Sequence, residues 1–361
     1  MLFQVMNRVS QPAAVMLSWT VLFVLLPLCA YGRTAGEVLG ELKNTRGKAR
    51  EAKLVEGARR EGKVVLYGTT GVDDMKEIFD GFKRRYPFLE VGHYRGGALK
   101  VYNKVVAEAR AGRYEADVLE STSLTGFHLK EQNLLDPYIS PSRDGLLKDF
   151  MDREGYWTAW FQQVVVMVYN TTLVKKSEVP RSYEDLLNPK WRGKLSMDDE
   201  DDDLFGTLLD HWGKEKGLAY FRKLAQNKPT MRKGHNLQTN LLAAGETHIA
   251  PWIFAFRPLV LKQKGAPLDI ALLNPVISDP KQLMLAKNSS RPHAAALFID
   301  WLLTDGQKMI VEKFGRTSTR PGLNERFSEL ALPDYLVVKP ERLGPNSKEY
   351  AELYCKTFGH C

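Results

Sequence analysis

Cysteine is scarce in this chain, with three in 361 residues, at positions 29, 355 and 361. No Cys-x-x-Cys pair occurs, which removes support for a dithiol redox role. Also missing are the Gly-x-Ser-x-Gly elbow, the His-Glu-x-x-His zinc helix and the phosphate-cradling loop ending in Gly-Lys-Ser/Thr. Their absence takes away the sequence basis for the best-known hydrolase and nucleotidase classes. Acidic residues are outnumbered, and the formal net charge is +8. The basic residues are spread along the chain, with short clusters such as Lys83-Arg84-Arg85, and no zinc-finger spacing or RNA-binding aromatic motif accompanies them. No nucleic-acid partner is expected. No internal repeat of solenoid type occurs.

Long apolar runs are also few. Arg8 is the only charge before Arg33, and Ala13 to Ala30 is almost wholly apolar, ending in small residues. That pattern predicts a cleaved signal peptide over residues 1–32, with an uncleaved anchor as the alternative. The location expected is periplasmic or extracellular. Removing residues 1–32 takes one arginine and no acid, leaving a net charge of +7. Cys29 would leave with the signal. Cys355 and Cys361 then remain as an even pair in an exported chain, which predicts a disulfide closing a small C-terminal loop.

What is present reads as alternating strands and helices. Residues 61–97 give a short apolar strand at Val64–Tyr67 and a small-residue turn, Gly68-Thr69-Thr70-Gly71. An amphipathic helix carrying Ile78, Phe79 and Phe82 follows, and then a second strand. Asp73 and Asp74 stand where acidic side chains favour a helix N-terminus. A second strand–turn–helix places Ser121-Thr122-Ser123 after the strand Ala116–Leu119. Two hydroxyl-rich turns at strand carboxyl ends are where open α/β sheets hold ligands. Trp157 to Tyr169 is an apolar run longer than most strands, able to cross between two lobes. Residues 36–61 read as a mobile leader and then a helix, SYEDLLN as a helix, and the tail after Pro321 as a surface wrap.

Several long segments resemble a known family. VVVMVYNTTLV, NPKWRGKLSM, LLAAGETHIA and HAAALFIDWLLTDGQKMI follow the order seen in extracellular solute-binding proteins of ABC importers, most closely the ferric-ion-binding branch. The resemblance covers about residues 50–325. It implies an α/β, two-lobed type II periplasmic-binding-protein fold, each lobe a mostly parallel sheet flanked by helices, joined by crossing strands. Lobe 1 would comprise residues 61–163 plus 274–322 and lobe 2 residues 164–273. Residues 33–60 would form a leader and N-terminal helix, and 323–361 a C-terminal tail. The partners implied are a small-molecule ligand in the cleft and membrane permease subunits. The protein is expected to be a monomer without a cofactor and not an enzyme.

Ferric-binding members carry a His or similar ligand in the first turn, an acid in the second and adjacent tyrosines in lobe 2. Here the first turn offers Thr69 and Thr70. The second offers Ser121, Thr122 and Ser123, with Glu120 slightly early. The tyrosine positions fall near Ala255 and Phe256. Hard Fe³⁺ takes anionic oxygen, which Ala and Phe lack.

The most unusual local feature is the acidic run Asp198-Asp199-Glu200-Asp201-Asp202-Asp203 before a helix. Asp201 and Asp203 are candidates for a cation, a metal or an amine, and the plain alternative is helix capping by one of them. His235, with Asn236 as the expected N-cap, is a candidate hydrogen-bonding or metal residue beside that loop. Trp252 and Phe254 are candidates to stack on an organic ligand, and Arg257 to hold a carboxylate or phosphate. Core packing is the alternative for the aromatics. The reading is a small zwitterionic or cationic organic solute ahead of a free metal. A metal-dependent periplasmic hydrolase and a solute sensor for a membrane receptor are the alternatives.

Overall fold

In the computed structural model, the residues described are 34–324, 330 and 334–361. The signal-peptide expectation over residues 1–32 lies outside them. Among the described residues no helix is long and apolar enough to cross a membrane. The strands in chain order are β1 (Lys63–Gly68), β2 (Glu90–Arg95), β3 (Val118–Ser121), β4 (Leu135–Asp136), β5 (Thr158–Asn170) and β6 (Ser196–Asp198). They continue with β7 (Thr230–Arg232), β8 (Ile249–Phe254), β9 (Leu268–Ala271), β10 (Ile277–Ala286), β11 (Thr317–Ser318) and β12 (Leu336–Val337).

β1 lies parallel to both β2 and β3. The helices Val72–Arg85 and Ala98–Arg110 supply the crossovers that parallel pairing needs. β10 returns antiparallel to β3 and β5, and β11 adds to the far edge of β5. β5 is buried at all thirteen positions. From Thr158 to Val164 it pairs with β10, and from Val165 to Asn170 with β8 and β9. One strand therefore belongs to two sheets. Leu195 bridges to Ile249 and ties the parallel pair β6–β7 to β8. The result is an α/β fold of two lobes joined by a crossing strand, with helices flanking each sheet.

Side-chain alternation along β5 shows why the run is continuously apolar. Val165, Met167 and Tyr169 pack on one side with Phe205, Phe221 and Tyr354. Val164, Val166 and Val168 pack on the other with Leu242 and Leu259. A strand buried on both faces has no polar phase. In lobe 1, Leu66, Val118 and Leu283 meet Leu54, Phe82 and Phe298, whereas Tyr67, Leu119 and Met284 meet Val101, Val105 and Leu129.

Four local expectations differ from the structure. Residues 34–61 are not a mobile leader. Thr34 and Glu37 form a reciprocal capping box, and Ala35, Leu39 and Leu42 are buried in the lobe 1 core. Residues 184–187 form a 3₁₀ turn, because Pro189 follows too soon for a longer helix. The helix expected to be capped by Asn236 starts two residues earlier, His235–Ala243, with Gly234 at the N-cap. The tail is part of the core. Its helix Ser347–Phe358 buries Tyr350 and Tyr354 against the helix Asp202–Trp212.

Candidate functional site: a carboxylate-rich cleft

The first hydroxyl turn is held from beneath by Glu120, which is completely buried at the end of β3. Thr69 and Thr70 donate their backbone N–H groups to Glu120 Oε2 at 2.7 and 3.1 Å. The Thr70 hydroxyl donates to Oε1 at 2.8 Å. Lys281 of β10 donates to Thr69 Oγ1 at 2.6 Å and lies 3.7 Å from Glu120. Burial alone would raise the Glu120 pKa. The Lys281 charge and these donors outweigh it and hold the carboxyl below its ordinary value. Thr69 and Thr70 therefore stand at the turn as expected, but their hydroxyls are engaged within lobe 1.

The second turn is divided. Ser123 donates to Asp279 Oδ1 at 2.5 Å, and Thr122 shares a bond with Thr125. Ser121 Oγ is buried and has no partner among the described residues. Asp279 stands two places from Lys281 on β10, and Gln163 of β5, directly opposite, reaches Asp279 Oδ2 at 3.3 Å. Arg316 completes this wall. It pairs with Asp74 at 2.6 Å, and its guanidinium lies over the rings of Phe161 and Phe256, at 4.7 and 4.1 Å from their centroids.

Lobe 2 brings the acidic run to the same place. Asp203 sits in the first turn of the helix Asp202–Trp212. Burial, then the charge of Asp279, then Asp201 and Asp202, push its pKa well above the carboxylate range. Burial raises Asp279 too, against the opposing effect of Ser123 and Lys281. Asp279 belongs to β10 and Asp203 to the start of the lobe 2 helix, and the charge of the first disfavours ionisation of the second. Asp201 occupies the N-cap position but caps nothing. Its Oδ1 accepts from His235 Nε2 at 2.8 Å, and its buried Oδ2 has no partner among the described residues. Burial pushes the Asp201 pKa up to about 6.

Asp198, Asp201 and His235 offer ligand atoms within 4.8 Å of one another, a spacing compatible with a metal. The hydrogen bonds fill that constellation in another way. Phe254 N–H donates to His235 Nδ1 at 3.2 Å. Nδ1 is therefore bare, and the ring carries its proton on Nε2, facing Asp201. Burial would lower the His235 pKa, but Asp201 and Asp198 push it up to about 9. A second proton on Nδ1 would cost the Phe254 bond, so the neutral ring fits the geometry. Asp198 is engaged by Glu200 N, Gly234 N and Gln238 Nε2. A metal on Nε2 would displace a proton to Nδ1, where an amide already donates.

The remaining candidates separate. Phe254 is half-buried and stacks on His235, with ring centroids 4.2 Å apart. Trp252 is a correction. It is 2% exposed within the lobe 2 core, 5.7 Å from the Phe221 ring, on the same strand face as Phe254 but sealed by the core packed over it. Arg257 is held by Asn240 at 3.1 Å, and none of its contacts reaches the acidic run. Sequence reasoning missed Asp198, Asp279, Lys281 and Arg316. Asp279 and Lys281 did leave a signal, since two charges at alternate positions between the apolar pairs Val276-Ile277 and Leu283-Met284 mark one polar strand face.

Known proteins of similar sequence and shape can be set beside this geometry. The chain is 21% identical over 322 residues to iron uptake protein A1 of Synechocystis, covering 87% of this chain and 82% of that protein. The iron-bound HitA of Pseudomonas aeruginosa is similar in fold, with a TM-score of 0.72 and 20% identity, covering 82% of this chain and 99% of HitA. AfuA of Actinobacillus pleuropneumoniae, solved with fructose-6-phosphate, gives a TM-score of 0.71 and 22% identity, covering 83% of this chain and all of AfuA (100%). Residues 124–335, more than half of the chain, match one sequence family, and this protein belongs to it: the bacterial extracellular solute-binding proteins.

Proposed function

We propose that this protein is the exported capture component of an importer, taking a small cationic or zwitterionic organic solute between its lobes and delivering it to a membrane permease. One observation carries the ligand class. Asp203 begins the lobe 2 helix and Asp279 stands on β10, and after burial the charge of Asp279 helps to hold the Asp203 pKa well above its ordinary value. Glu120, Asp74, Asp201 and Asp198 add further carboxylates, with Lys281 beside Glu120, Arg316 on Asp74 and Lys233 on Glu200 as the cations. A ligand ammonium between Asp203 and Asp279 relieves the repulsion and couples binding to closure. Lys281 offers a contact for an anionic group at the other end. Residues 61–163 plus 274–322 and residues 164–273 would be the two moving bodies.

The second reading is a metal ion. The spacing of Asp198, Asp201 and His235 favours it, and one relative is named for iron uptake. The hydrogen-bonded His235 and the Ala255-Phe256 pair weigh against it.

The test is a thermal-shift screen over amines, amino acids, metals, phosphonates and sugars. A ligand at 100 times its dissociation constant adds about 2.7 kcal/mol of stability. Amines or amino acids are the expected hits, and a response to metals alone would overturn the organic reading. Asp203→Asn removes a repelled carboxylate. The ligand-free variant should melt higher than the wild type, while affinity for the cationic hit falls about tenfold or more, equivalent to about 1.4 kcal/mol. Unchanged affinity would remove Asp203 from the site.

A further inference from the structure

The acidic run is held from outside the cleft by the end of the chain. Tyr354, 1% exposed in the tail helix, donates its hydroxyl to the Asp198 carbonyl at 2.5 Å. His360 Nε2 lies 3.2 Å from the Asp199 carbonyl and can only act there as donor. The two rings meet edge to face, with centroids 5.2 Å apart. The helix ends at Gly359, whose φ of 71° suits glycine and turns the chain back on itself. Gly359 N–H and His360 N–H both return to the Cys355 carbonyl. Cys361 then meets Cys355 as a disulfide across six positions. The ring so closed contains His360 and starts one residue after Tyr354.

We propose that the ring closed by Cys355 and Cys361 positions the acidic run, with Tyr354 and His360 as its positioning residues. The run needs such a hold. Its own side chains repel, Asp201 caps no helix N–H, and consecutive carboxylates left alone would swing toward water. Backbone carbonyls fixed by His360 inside the ring and Tyr354 just before it keep Asp201 and Asp203 turned inward instead. A disulfide removes conformations from the open ring and so lowers the cost of placing His360. The consequence for ligand affinity rests on the cation reading of the cleft. The positioning itself does not.

The experiment follows amide hydrogen exchange over residues 198–205 in the ligand-free full chain. It compares the wild type with Cys355→Ser/Cys361→Ser, Tyr354→Phe, His360→Ala and His360→Gln. The cysteine pair and Tyr354→Phe should speed exchange there about tenfold, the loss of one hydrogen bond's worth of protection. Amides of β1 and β10 should be unaffected. His360→Ala should act in the same direction, and His360→Gln, which keeps an N–H donor, should recover part of the protection. Unchanged exchange over 198–205 would overturn the proposal. So would acceleration spread equally over both lobes, because that reports general destabilisation. No ligand enters the measurement, so a failed ligand screen and a failed exchange experiment are separate results.

Discussion

Asp201 and Glu120 are both buried carboxylates, yet their surroundings push them in opposite directions. Glu120 receives donors from the Thr69–Thr70 turn and faces Lys281, so it stays ionised. Asp201 has one donor, His235, and an oxygen with no partner among the described residues, so burial raises its pKa to about 6. The sign follows from proton uptake. With a folded value near 6 against 3.8 for an ordinary aspartate, the native state binds more protons than the unfolded state between those values. The Asp201 contribution to stability is therefore present at low pH and is lost as pH rises through about 4 to 6. A shift of this size corresponds to roughly 3 kcal/mol. Asp201→Asn keeps an acceptor for His235 and does not titrate. Its stability relative to the wild type should rise across that window, measured by urea unfolding at a series of pH values. Parallel curves would show that Asp201 is solvated.

Among the elements, the helix Asp202–Trp212 links the site to the tail. It presents Asp203 toward Asp279 at one end and packs its length on the helix Ser347–Phe358. The packing is close. A Cβ added at Gly206 would lie 2.7 Å from the Tyr350 ring. Gly206→Ala should push the two helices apart and cost about 1–3 kcal/mol, as overpacked positions do. Chemical denaturation checks the stability, and weaker ligand binding in the same variant would show that the shift reaches Asp203. Wild-type stability in Gly206→Ala would mean that Tyr350 can give way. This dependence could not be read from the tail sequence. Tyr350 and Tyr354 stand at helical spacing, but their burial needed a partner helix some 140 positions earlier.

At the scale of the whole molecule, the chain is a solute-binding protein and not an enzyme. β5 passes from one sheet to the other near Val164 and Val165, so a small change there reorients one lobe against the other. Arg316 reaches from lobe 1 to Phe256 of lobe 2, and Asp203 feels the charge of Asp279. One interaction is attractive and the other repulsive. In the proposed mechanism a cationic ligand would tip that balance toward closure. Small-angle scattering should show a smaller radius of gyration when the screened ligand is saturating. An unchanged radius would remove hinge closure from the proposed mechanism.

Local patterns along the chain carried the strand–helix units and the crossing strand. Apolar periodicity gave β1 with its following helix, and the length of the run 157–169 gave the crossing strand, because both signals are local and repeat along the chain. The sequence also located the acidic run and the two hydroxyl turns as segments. The contacts those segments make come from packing in space. Thr69 and Thr70 point to Glu120 because β1 and β3 are neighbours, which no local pattern encodes. Trp252 and Phe254 are two apart on one strand and share a face, yet one is sealed in the core and the other stacks on His235, a difference set by what packs over each. Asp203 acquires its unusual chemistry from Asp279, 76 positions later. Electrostatic coupling depends on distance in space, and the sequence records only distance along the chain.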